Sequence, residues 1–209
     1  MPPSSFPRRG ARTRWLKTCI LSLSVVLGGL TPAYAGSGHI QSTRSIDAPA
    51  GFQGVCDRYA WACARASTAS QTMDDAALLR LARKVNGQIN RRVREVSDLQ
   101  QYRVAEHWAL PTAHGGDCED FALLKKRELI RHGVSPDRLL IATALTAKRE
   151  AHAVLILRTA AGDVVLDNLT SKIKPWAKTG YGFLRMQDPR APARWQMVLA
   201  GGMFGAGRG

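Results

Sequence analysis

An α+β fold follows from two observations. Residues Met73 to Val96 and Cys118 to Gly133 carry helical periodicity, whereas the chain after Pro136 falls into short apolar runs separated by turns. Helices come first and an antiparallel meander follows, a segregation that belongs to α+β chains rather than to alternating α/β chains.

The elements read in order as follows. The first 35 residues have the form of a secretory leader. Arg8, Arg9, Arg12, Arg14 and Lys17 make a basic start, Cys19 to Leu30 is a short apolar core, and Ala33-Tyr34-Ala35 fits a small-x-small cleavage site. The apolar run is too short for a membrane span of roughly 20 residues, and no second one follows, so no span is expected after cleavage. Gly36 to about Gly54 is polar with Pro and Gly, an extended arm. Thr72-Met73-Asp74-Asp75 looks like a helix start. Leu78, Leu81, Val85, Ile89, Val93 and Val96 then recur every three or four residues, giving an amphipathic helix over about Met73 to Val96. Ser97 to His114 reads as loop. A second helix begins at Cys118 and ends at Gly133, a residue suited to a left-handed C-cap. Arg138–Leu145, Ala151–Arg158 and Val164–Asp167 read as strands, with a turn at Ala161-Gly162-Asp163 and a last strand in Arg194–Leu199. The resulting division is a leader (1–35), an N-terminal arm (36–72), one domain (73–200) and a disordered tail (201–209).

The formal charge of +14 falls to +9 once the five basic leader residues are gone. An exported basic chain without an RNA- or DNA-binding signature gives no reason to expect nucleic acid. An anionic membrane surface, an acidic protein partner or a plain solvated face fits equally well. Cys56, Cys63 and Cys118 remain in the mature chain. In an oxidising compartment an odd count leaves one thiol free. Cys56 and Cys63 are neighbours in sequence and form the natural pair. A continuous helix would hold them about 10 Å apart, too far for a bridge, so the pairing predicts a loop or broken helix there.

The unpaired Cys118 sits in Gly115-Gly116-Asp117-Cys118-Glu119-Asp120-Phe121. Two glycines give a tight turn, and the thiol then opens a helix, where the macrodipole favours thiolate. The carboxylates of Asp117, Glu119 and Asp120 oppose this by raising the thiol pKa. They make sense beside a neutralising divalent cation. A thiol nucleophile also needs a base, and the base a group to orient it. His152 stands at the start of an apolar strand, and Asp167 ends the next one. An even-numbered hairpin loop puts the two on one face. A four-residue loop over Arg158–Ala161 sets them directly opposite, and a tighter turn at Ala161-Gly162 offsets them by about four residues. Spacing alone leaves both registers open.

With Gly116-Asp117-Cys118-Glu119-Asp120-Phe121, Ala151-His152-Ala153-Val154-Leu155 and Val165-Leu166-Asp167-Asn168-Leu169 in this order, the chain resembles the bacterial transglutaminase-like cysteine proteases, LapG-like periplasmic adhesin proteases. Val85-Asn86, Asn90-Arg91-Arg92 and Trp108-Ala109-Leu110-Pro111 also look like family positions, and the likeness runs from about Leu78 to Leu199. The Cys56/Cys63 segment departs from it. The resemblance implies a papain/transglutaminase-like fold, with the nucleophile at a helix N-terminus packed on an antiparallel sheet. It makes Cys118 the nucleophile, His152 the general base and Asp167 its orienting partner. The Cys118 amide then serves as one oxyanion donor. It further implies Ca²⁺ held by Asp117, Glu119 and Asp120, with Glu106 as a possible addition, since Ca²⁺ takes six to eight oxygens.

The resulting expectation is a periplasmic, calcium-dependent cysteine endopeptidase. By resemblance its substrate is a large cell-surface adhesin, and an inner-membrane cyclic diguanylate receptor sequesters it. Two rivals stand beside this reading. One is transglutaminase or amidase acyl transfer on the same triad. The other is a non-catalytic protein-binding module.

Overall fold

The computed structural model describes Met1 and residues 38–66 and 73–205. The leader expected over 1–35 lies outside the described residues apart from Met1, as do 36–37, 67–72 and the tail residues 206–209. The account below concerns the compact unit Ala35–Gly209.

The elements in chain order are β1 (Arg44–Ile46), α1 (Val55–Arg58), α2 (Asp75–Arg92), α3 (Asp98–Gln101), α4 (Cys118–Arg131), β2 (Leu139–Leu145), β3 (Ala151–Thr159), β4 (Gly162–Leu166), β5 (Lys174–Pro175), β6 (Gly182–Asp188) and β7 (Ala191–Ala200). Asp74 caps α2, its carboxylate accepting from the Ala77 amide at 2.9 Å. The helix stops at Arg92 although the apolar period runs on to Val96. Arg94 and Val96 leave it to bond across to Gly116, whose N–H donates to the Arg94 carbonyl at 3.1 Å and whose carbonyl accepts from Val96 at 3.0 Å. Tertiary pairing thus overrides periodicity, and it ties the Gly115-Gly116 turn to the end of α2. Helix α4 ends as expected, with His132 at its C-cap and Gly133 at φ +86°.

Seven strands form one antiparallel sheet in the order β1-β7-β6-β2-β3-β4-β5. Strands β2 to β4 are the meander the sequence suggests; β5 and β6 are not among the expected strands, and β6 returns to pair with β2 instead of following β5. Leu78, Ala82 and Val85 of α2 and Leu123 and Leu129 of α4 pack on one sheet face with Leu139, Ile141, Leu155 and Leu157. The alternate residues Leu140, Ala142, Val154, Ile156 and Val165 form the other face with Trp176, Phe183, Met186 and Val198. With both faces covered, β2 and β3 read as continuous apolar runs.

The segment expected as an extended arm is woven into this fold. Strand β1 adds to β7, and Ile40 is buried with its amide donating to Asp163 at 2.8 Å. Phe52 packs edge-on against both Trp108 and Trp195. Polar Arg44-Ser45 on an edge strand carries no apolar signal, which is why the sequence reads as loop there. Cys56 and Cys63 are joined as a disulfide with Cα atoms 5.5 Å apart. The chain between them is the broken helix the pairing demands: α1, then a 3₁₀ turn over Ala60–Cys63. Gly202–Phe204, placed in the expected disordered tail, form a 3₁₀ turn beside Gly182.

Candidate active site

Cys118 is the first residue of α4, and the turn before it requires glycine. Gly115 has φ +125°, and a Cβ there would lie 2.1 Å from the Arg94 carbonyl oxygen. The half-buried Cys118 is the free cysteine among the described residues. Its sulfur accepts from the Ala153 amide at 3.3 Å and donates to Glu119 Oε2 at 3.1 Å. Burial first, then the Glu119 charge, pushes the thiol pKa well above its ordinary value.

His152 and Asp167 meet. The β3–β4 hairpin turns at Ala160-Ala161, pairing Thr159 with Gly162 and Leu155 with Leu166. That register lies between the two the spacing left open. Asp167 is offset by two residues from the position opposite His152, on the same face, and the side chains meet diagonally. His152 Nε2 lies 2.9 Å from Asp167 Oδ1, both residues buried. Asp167 Oδ1 also accepts from the Leu169 amide at 3.0 Å, and Oδ2 from the Tyr181 hydroxyl at 2.6 Å. Its own carbonyl accepts from Asn90 Nδ2 of α2 at 2.8 Å. Burial alone raises the Asp167 pKa, but the hydrogen bonds from His152 and Tyr181 outweigh it and hold the carboxyl below its usual value. An ionised Asp167 keeps the imidazole proton on Nε2, which leaves Nδ1 as the proton acceptor.

Cys118 and His152 line one cleft of about 260 Å³. Its walls include Pro49 and Ala50 from the N-terminal segment, Glu106, Trp108 and Glu119, Thr143 and Ala144 of β2, and Leu184 and Arg185 of β6. A bulge in the β2–β6 pairing between Thr143 and Ala144 brings Leu184 and Arg185 to this wall. Trp108 is held in place by Glu106, which accepts from its indole N–H at 3.0 Å, and by Arg58, which donates to its carbonyl at 2.9 Å.

The acids beside the thiol divide. Oxygens of Asp98, Asp117 and Glu119 lie within 4.8 Å of one another. Asp120 is not among them: its Oδ1 accepts from the Ala109 amide at 2.8 Å, and it packs against Gly116. Glu106 is taken up by Trp108. Asp98 was missed because its place after Ser97, in the first turn of α3, looks like ordinary helix-start chemistry. Burial is the main cause that raises the pKa of Asp98, Asp117 and Glu119; the Asp117 charge adds to it at Asp98 and Glu119, and the Glu106 charge adds to it at Asp117, while burial also pushes Asp120 up to about 8. Asp117 Oδ1 is buried with no hydrogen-bond partner among the described residues, and so is Asp120 Oδ2, beside Gly116. Three clustered hard oxygen donors, one of them orphaned, fit a Ca²⁺-type cation. They supply at most six of its oxygens, the rest falling to backbone or water.

The sequence model of the bacterial transglutaminase-like cysteine proteinases matches residues 42–202, and the chain belongs to that family. No curated protein matches it. Among solved structures, calcium-bound LapG of Legionella pneumophila is similar at 24% identity and a TM-score of 0.51, covering 64% of this chain and 77% of that one. EGTA-treated LapG of the same organism matches at 24% identity and a TM-score of 0.49, over 60% of this chain and 69% of that one. At its identity the likeness to the calcium-bound structure is one of fold, the papain/transglutaminase-like arrangement of helices on an antiparallel sheet.

Proposed function

We propose that this member of the bacterial transglutaminase-like cysteine proteinases is an exported, calcium-dependent endopeptidase working through Cys118, His152 and Asp167. The observation that carries the reading is the buried His152–Asp167 hydrogen bond at the rim of the cleft that Cys118 also lines. Cys118 Sγ attacks the scissile carbonyl while His152 Nδ1 takes the thiol proton. The same imidazolium protonates the leaving amine, and water then hydrolyses the thioester with His152 as base. Sγ forms no hydrogen bond to His152 here, a looseness common before substrate binds. The Cys118 amide, in the first turn of α4, is offered to the oxyanion.

Asp98, Asp117 and Glu119 would hold the cation, which supplies positive charge that cancels their field on the thiol. By likeness to LapG, which was solved calcium-bound, we extend calcium dependence to this chain. The same likeness extends to it a periplasmic location, a large surface adhesin as substrate and an inner-membrane cyclic diguanylate receptor as regulator. Residues 1–35 serve as the export leader in this reading. Among the described residues no helix is long and apolar enough to cross a membrane.

The test uses the N-terminal fragment of the longest repeat-containing adhesin encoded by the source genome. The wild-type protein cuts it, and Cys118→Ala and His152→Ala do not. The double variant is scarcely worse than either single one, because the residues act as a unit. Cleavage by Cys118→Ala would remove the nucleophile assignment. Incorporation of a dansylated amine in place of hydrolysis would select acyl transfer to amines.

A further inference from the structure

Asp167 is held by more than the imidazole it orients. Its buried carboxylate takes three donors, and the shortest bond comes from a residue with no place in the triad, the Tyr181 hydroxyl at 2.6 Å from Oδ2. The Tyr181 ring also meets the His152 ring edge to face, with centroids 5.5 Å apart and planes at 81°. One side chain therefore touches both members of the pair.

Tyr181 is itself well fixed. It follows Gly180 at φ +79°, its amide donates to Thr179 Oγ1 at 3.1 Å, and it packs on the second sheet face beside Phe183. Burial and the neighbouring Asp167 push the phenol pKa up, so the hydroxyl stays a donor.

We infer that Tyr181 is a positioning residue of the His152–Asp167 pair. The terminal torsion of an aspartate is soft and roughly two-fold. A donor on Oδ2 fixes it, presents Oδ1 to His152 Nε2 and leaves neither oxygen of this buried carboxylate orphaned. The ring edge fixes the imidazole plane, so that Nδ1 faces the cleft. Asn90 holds the backbone of the same residue from the helix side, and Tyr181 holds its carboxylate from the sheet side.

This inference rests on the triad reading, and the experiment separates the two. Tyr181→Phe removes one oxygen and keeps the ring. On the adhesin fragment, kcat falls about ten-fold with KM unchanged, the loss of one charge-assisted hydrogen bond. In ¹⁵N-histidine-labelled protein without substrate, the downfield His152 ring N–H resonance moves upfield or broadens away, while the circular dichroism spectrum is unchanged. Asp167→Asn is the control arm. If it turns over at the wild-type rate, the triad reading falls and this inference with it. If Asp167→Asn is dead while Tyr181→Phe keeps the wild-type resonance, the triad stands and Tyr181 is not its positioning residue, whatever happens to kcat.

Discussion

Removing the Cys56–Cys63 disulfide is the perturbation whose cost follows most directly from this structure. The bridge spans seven residues of sequence separation, so it closes a loop of about eight residues. The loop-entropy relation gives about 2.5 kcal/mol for such a ring at 25 °C. The native conformation of the loop does not depend on the bridge alone. Val55 and Ala62 are fully buried, Arg58 donates to the Trp108 carbonyl at 2.9 Å, the Tyr59 hydroxyl accepts from the Leu110 amide at 3.3 Å, and the Ala62 carbonyl accepts from Gln187 at 3.2 Å. These contacts survive reduction, so the loss falls on the unfolded state. Urea unfolding of Cys56→Ala/Cys63→Ala should show a free energy lower by about 2.5 kcal/mol, a slightly steeper m and a Tm lower by about 5–10 °C. Cleavage at 25 °C should be unchanged. A loss below about 1 kcal/mol would refute the chain-entropy argument. Loss of cleavage with global stability intact would show that the bridge instead holds the Pro49–Trp108 wall of the cleft.

Gly115→Ala should cost at least about 2 kcal/mol and sharply lower activity, because its Cβ meets the Arg94 carbonyl. Gly133→Ala, also at positive φ but with nothing within 4 Å, should cost only about 1 kcal/mol in the same urea melts. Lys126 is buried against Gln187 Oε1 at 2.8 Å, and burial pulls its pKa down to about 7. Between pH 7 and about 10 the unfolded chain binds a proton at this site that the native chain does not, so wild-type stability gains as pH rises. The stability of wild type minus that of Lys126→Met should therefore climb with pH, by about 0.7 kcal/mol per unit at pH 7 and approaching about 1.4 kcal/mol per unit between pH 8 and 9; a flat difference in urea melts refutes the buried neutral amine. Chelation should lower activity, and Ca²⁺ should restore it better than Mg²⁺, which demands stricter octahedral geometry. In calcium calorimetry Asp98→Asn should weaken binding and Asp120→Asn should not; the reverse result would return the site to the acids adjacent in sequence.

Much of the candidate site was legible because its residues sit on strong local signals. Gly-Gly before a thiol that opens an apolar-periodic helix marks Cys118, and a lone imidazole at the head of β3 marks His152. What escaped depends on tertiary placement. The bulge in the β2–β6 pairing breaks the alternation of β6, whose buried positions include the neighbours Met186 and Gln187, so no period-two pattern reveals it. The hairpin register turned on whether Ala160-Ala161 or a neighbouring pair makes the turn, which propensity cannot decide between alanines. Tyr181, between two glycines, carries no pattern at all. Asn86 and Asn90 did leave a trace. Two amides four residues apart on the apolar face of α2 need buried acceptors, and they find them in the Thr170 and Asp167 carbonyls.

The electrostatics of the cleft are uneven. At one end Asp167 has three donors and sits below its ordinary pKa; at the other, Asp98, Asp117 and Glu119 are buried together with every pKa raised. A fold selected for stability alone would replace such a cluster with apolar side chains. Its position decides what it is for. Glu119 Oε2 accepts from Cys118 Sγ, and a thiol that donates to a carboxylate keeps its proton. The Ala153 amide pulls the other way, since an N–H directed at sulfur favours thiolate. Burial is the larger part of the hold on the Sγ proton and the Glu119 charge the next, so whatever neutralises that charge removes the second and leaves the Ala153 amide to work against burial. The raised acids and the protonated thiol are one arrangement: in the proposed reading, the groups that would bind the cation are the same ones that hold the proton on Cys118.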